Sequence, residues 1–163
     1  MPLVFHGSPL KCFETVEPRR NVRTCEENGA ERIIFDDISF HATCYRWIAL
    51  AYTYHRVSWE HHGAQGEYSM GISLYENTHE VAIFGVRSLE ESLERLYSQG
   101  GYLYVFSSAR FYHAEGLGPL EVITQDHLQP ERIEWIKDPV QALRDEGVTF
   151  TFIDLTLQKL NAR

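Results

Sequence analysis

Side chains able to do chemistry gather at a few places along the chain. Leu3, Val4 and Phe5 form an apolar run that stops at His6-Gly7-Ser8-Pro9. Strand formers thus deliver an imidazole to a strand end, and a glycine beside it lets a ligand approach the main chain closely. Read alone, the same residues are a strand cap followed by a turn. Glu121 is a single carboxylate that opens the apolar run Val122-Ile123 straight after Gly116-Leu117-Gly118-Pro119. It can face a cleft beside other strand ends, or sit at an exposed strand edge. Between these points, Tyr45 and Tyr52 bracket an Ala-rich segment, with Tyr54 close behind. A tyrosine ring serves either as a platform in a pocket or as core packing. Arg19, Arg20 and Arg23 offer planar donor forks suited to a phosphate, although Glu26, Glu27 and Glu31 dilute the patch and favour a solvated loop. His55, His61 and His62 invite a metal reading, but no carboxylate stands at a familiar ligand spacing, so no metal is expected.

The elements that position these groups follow from periodicity and punctuation. Residues 11–31 are polar without a sustained period and read as a long loop. Ile38, Phe40 and Ala42 alternate as in a strand, Thr43 suits an N-cap, and Trp47, Ile48, Ala51 and Tyr52 recur at helical spacing. Residues 55–66 are polar with two glycines and read as a mobile excursion. Strands are expected over 68–74 and 81–86, around a turn at 76–79. Ser88 with Glu91 forms a capping box for a helix that Gly100 and Gly101 stop, and a strand follows over 101–106. Asp138 and Pro139 open a last helix that ends at Gly147; a final strand covers 148–155 and a frayed tail 157–163.

Composition narrows the class. The 163 residues suit one domain spanning 1–163, and 44% hydrophobic with 13% aromatic residues is too rich for disorder. No apolar run approaches bilayer length and no leader pattern opens the chain, so neither a membrane nor export is expected. Cys12, Cys25 and Cys44 lack zinc-type spacing and a disulfide framework, which fits a reducing cytoplasm. A net charge of −8, from 15 basic and 23 acidic residues, disfavours broad binding to nucleic acid.

The order of these stretches resembles an ADP-ribosyltransferase-like domain. The resemblance rests on the strand ending in His6-Gly7-Ser8, on His41-Ala42-Thr43 followed by Ala49-Leu50-Ala51-Tyr52, and on Leu120-Glu121-Val122-Ile123 with Gln129-Pro130-Glu131-Arg132-Ile133 after it. It implies an α+β fold of two small packed antiparallel or mixed sheets with a few flanking helices. It also implies that NAD is bound and ADP-ribose transferred to an acceptor, a protein rather than a nucleic acid, with release of nicotinamide. On that reading Glu121 is catalytic, stabilising the oxocarbenium-like cation formed as the ribose to nicotinamide bond breaks. His6 would hydrogen-bond a ribose hydroxyl, with Gly7 and Ser8 beside it; the Gly7 main chain would pair with the nicotinamide amide, and Tyr52 or Tyr45 would stack on its ring. Thr43 would contribute a hydroxyl or cap its helix, and a loop near 55–66 would cover the dinucleotide. His41 stands where the family carries an aromatic residue, no clear Ser-Thr-Ser motif follows, and Pro119 occupies the position two before Glu121 that is acidic in arginine-directed members. The alternative is an inactive NAD-binding, ADP-ribose-binding or protein-interaction module on the same fold.

Overall fold

The computed structural model describes residues 2–11 and 13–157. The architecture is mixed α+β, with most strands antiparallel and few helices. Strand β1 (Leu3–Ser8) lies between β8 (Gly101–Ser107) and the long β3 (Ala30–Thr43). The main sheet runs β10 (Arg132–Ile136), β8, β1, β3, β2 (Arg19–Glu27), and β9 (Glu121–Thr124) also pairs with β3. A three-stranded sheet joins β6 (Ser69–Gly71), β7 (Glu80–Gly85) and β11 (Thr149–Asp154), with β7 and β11 parallel. The hairpin β4 (Ser58–His61) and β5 (Ala64–Glu67) stands apart. Helices α1 (Arg46–Ala51), α2 (Leu89–Tyr97) and α3 (Pro139–Asp145) complete the order.

Two cores flank the main sheet. Strand β8 is buried on both faces, as a central strand must be, and sends Leu103 to one side and Tyr104 and Phe106 to the other. The larger core gathers Trp47 to Ala51 of α1, Val81 and Ile83 of β7, Leu93, Leu96 and Tyr97 of α2, and Leu143 of α3. The smaller one packs Val4, Ala42 and Val122 with Tyr104 and Phe106, under Phe13 and Leu128. Its cover is tied down where the Val16 N–H donates to the Leu128 carbonyl at 2.6 Å.

The start signals of α2 and α3 act as read. The Ser88 hydroxyl accepts from the Glu91 N–H and the Asp138 carboxylate from the Gln141 N–H, so each helix start has a side-chain acceptor. Two expectations fail. The loop expected over 11–31 is largely strand β2, paired with β3 through an Asn28-Gly29 turn with φ of 55° and 77°. The excursion expected over 55–66 is the β4–β5 hairpin, turning at His62-Gly63 with φ of 48° and 74°. Each hairpin buries few large apolar side chains, Phe35 of β3 and Trp59 of β4 among them, so the sequence alternation is weak and the turn pairs are the clearer signal. Cys25 and Cys44 are free thiols; Cys12 and, beyond Leu157, the expected tail lie outside the described residues. Among those residues no helix is long and apolar enough to cross a membrane.

Candidate functional site

The site forms where the main sheet splits. Strands β1 and β3 share a single register pair, Phe5 with Thr43, and beyond it the next link is a side chain: His6 Nδ1 donates to the His41 carbonyl at 2.8 Å. A cleft of about 580 Å³ opens here, with Phe5, Leu10, Ile48 and Leu120 among its apolar walls. His6, Gly7, Thr43, Tyr52 and Glu121 all line it.

Glu121 begins β9 directly opposite Thr43 of β3. Only 6% of the residue is exposed. Its Oε1 accepts from Arg23 Nη2 at 2.7 Å and from His41 Nδ1 at 2.6 Å. Among the described residues no donor reaches Oε2, so one oxygen is held and the other is left for the cleft. Charge-assisted bonds of this length fix a carboxylate's orientation.

His6 and Glu121 approach the cleft from different faces. Phe5, Thr43 and Glu121 share one face of the sheet by register, and alternation places His6 on the other, its ring centroid 4.5 Å from that of Phe40. Burial holds the imidazole below its usual range, against the opposing effect of the bond to the His41 carbonyl. The neutral ring therefore donates from Nδ1 and keeps Nε2 as an acceptor.

Helix α1 sets the third wall. Its last carbonyls are taken by side chains: the Tyr97 hydroxyl donates to Ala51 O at 2.7 Å and the Thr53 hydroxyl to Leu50 O at 2.6 Å. Arg46 at its start is held by Glu146 at 2.7 Å and Glu134 at 3.2 Å. Tyr52 leaves this pinned end toward the cleft, where burial and then the Glu121 carboxylate push its phenol up, with Arg23 opposing.

Other expected residues have different work. Tyr45 is the N-cap of α1 and packs on the larger core; among the described residues the tyrosines at the cleft are Tyr52 and Tyr54. The Ser8 hydroxyl donates to the Leu10 carbonyl at 2.7 Å, shaping the turn after β1 outside the cleft lining. Thr43 is not the N-cap; its Oγ1 accepts from the Tyr45 N–H at 3.1 Å and holds the bend between strand and helix. The missing side chain of Gly7 serves the helix as much as any ligand, because a Cβ there would overlap the Ala49 carbonyl. The three arginines do not gather: Arg20 pairs with Asp36, Arg23 turns to Glu121, and Arg19 borders a second cavity. His55 binds the Gly100 carbonyl, while His61 and His62 pack on each other.

His41 and Arg56 enter the site without having been singled out for it, and Arg23, read as one of three phosphate donors or a solvated loop residue, enters it as the partner of Glu121. Arg56 lines the cleft, is exposed, and makes no ion pair among the described residues. His41 was visible only as a departure from an aromatic position; its bond to Glu121 spans 80 residues and depends on strand pairing. No protein-family model, curated protein or solved structure matches the chain.

Proposed function

We propose that the chain binds NAD in this cleft and transfers ADP-ribose to an acceptor, releasing nicotinamide, on an ADP-ribosyltransferase-like fold. The observation that carries this reading is the buried Glu121 carboxylate, held through one oxygen and open through the other, in the cleft that His6 and Tyr52 also line. A fixed carboxylate in an apolar setting stabilises a developing ribosyl cation more strongly than one in water does. Neutral His6 suits a ribose hydroxyl, and Tyr52 presents an aromatic face to the nicotinamide ring. Arg23 and Arg56 make the cleft locally basic in a chain of net charge −8, which suits a pyrophosphate. The fold part of the proposal draws support from the β1/β3 split and from Pro130-Glu131-Arg132-Ile133 leading into β10 after the Glu121 strand.

The acid balance of the chain makes a protein acceptor the better candidate than a nucleic acid. A second reading, an NAD or ADP-ribose binder without catalysis, is favoured by the Arg23 ion pair, since a guanidinium on the carboxylate weakens its pull on a cation.

The deciding experiment incubates the protein with labelled NAD and measures free nicotinamide. Release that Glu121→Gln abolishes, in a variant with an unchanged circular dichroism spectrum, is the expected result. Thermal stabilisation by NAD without release selects the binder. Neither stabilisation nor release overturns both.

A further inference from the structure

The hydrogen-bond chain that fixes Glu121 continues beyond His41. Ser39 and His41 are two residues apart on β3 and so share a face; Ser39 Oγ lies 3.0 Å from His41 Nε2. His41 Nδ1 donates to Glu121 Oε1 at 2.6 Å, so in the neutral ring Nε2 is the acceptor for the Ser39 hydroxyl. A hydroxyl, an imidazole and a carboxylate in this order have the relation of nucleophile, general base and orienting acid, each within hydrogen-bond reach of the next. Ser39 does not line the cleft that holds Glu121. It lines the second cavity, also of about 580 Å³, which shares the His6 and His41 wall with the first.

That cavity offers an apolar wall and a polar rim beside Ser39. Phe13 and Phe40 give it an apolar wall. Thr15 and Arg19 line it with donors and Glu14 and Glu17 with carboxylates, so its polar rim carries both signs of charge. Ser39 is only 1% exposed, which shields its hydroxyl from bulk water and limits the acyl group to one the cavity accepts.

We propose that Ser39, His41 and Glu121 form a serine-nucleophile site, opening on the second cavity, that hydrolyses carboxylic esters with a small apolar acyl group. Ser39 Oγ attacks the ester carbonyl while its proton passes to His41 Nε2. The tetrahedral intermediate then expels the alkoxide, which takes that proton and leaves as the alcohol. Water attacks the acyl-serine and gives a proton to His41; the acid departs and Ser39 recovers its hydrogen. The site does not depend on the NAD reading, although both use Glu121, one through Oε1 and the other through Oε2.

The test treats the folded protein with a fluorophosphonate and maps the adduct by peptide mass, and follows p-nitrophenyl acetate hydrolysis in parallel. An adduct on Ser39 and an initial burst of nitrophenol are expected. Ser39→Ala should lose both, and His41→Gln should slow phosphonylation by about 100-fold or more. Absence of a Ser39 adduct on the unmodified sequence overturns the proposal, even if a variant fails to fold. So does labelling elsewhere with unchanged hydrolysis in Ser39→Ala, or an unchanged labelling rate in His41→Gln. Nicotinamide release without an adduct overturns this site alone, and an adduct without nicotinamide release leaves it standing while the NAD reaction falls.

Discussion

The two ends of β3 do different work with the same backbone geometry. Its first part pairs with β2 as a projecting arm, where Ile33 and Ile38 are 60% and 59% exposed and Arg20 meets Asp36 in solvent. Its last part pairs with β9 and, at Thr43, with β1; here Ala42 and Thr43 are buried and His41 meets Glu121. The arm still reaches the site, because alternation points Arg23 to the face that carries His41 and Glu121 while Arg20 points away. A strand with two wet faces can thus supply one charged group to a buried centre without a core of its own.

Substitutions sharpen that contrast, beginning at the buried end. Gly7→Ala should cost about 3 kcal/mol or abolish folding, because the new methyl meets a backbone carbonyl of α1 that has no rotamer to give; chemical denaturation measures it. Glu121→Ala should cost about 2 kcal/mol, less than a fully buried pair would, because Arg23 is nearly half exposed and can turn to water while His41 cannot. Tyr97→Phe should cost about 1 to 2 kcal/mol by leaving the Ala51 carbonyl without its donor, and should loosen Tyr52 next to it. On the arm, Gly29→Ala should cost about 1 kcal/mol for a side chain at φ of 77°, and any nicotinamide release should persist. A larger loss there than at Tyr97 would break the contrast.

Acid should act on the buried end through His6. His6 is held neutral in the fold, so the unfolded chain binds its proton first and stability falls as pH drops below about 6.5 toward the lower folded value. Melting temperatures between pH 7 and pH 5 should show that decline, and His6→Gln should flatten it.

Much of this was legible where one residue type has one local job. Ser88 and Asp138 announced helix starts, Gly147 an end, and Glu121 the mouth of a strand, each through a contact a few residues away. The arm was missed because periodicity reports a dry face against a wet one and the arm has little dry surface, although Asn28-Gly29 was a sufficient turn signal. His41 was out of reach for another reason: its partners Glu121 and His6 stand 80 and 35 residues away, and only strand register brings them together. Tyr45 and Tyr52 have the same composition around them, and which one faces the cleft follows from where α1 stops.

The bare backbone contact between Gly7 and Ala49 has a mechanical consequence. With no side chain between strand and helix, nothing there can swing aside, so the floor of the cleft is stiff and a guest cannot deepen it. Adjustment to an occupant must come from the side chains of the other walls, among them Tyr52 and Arg56.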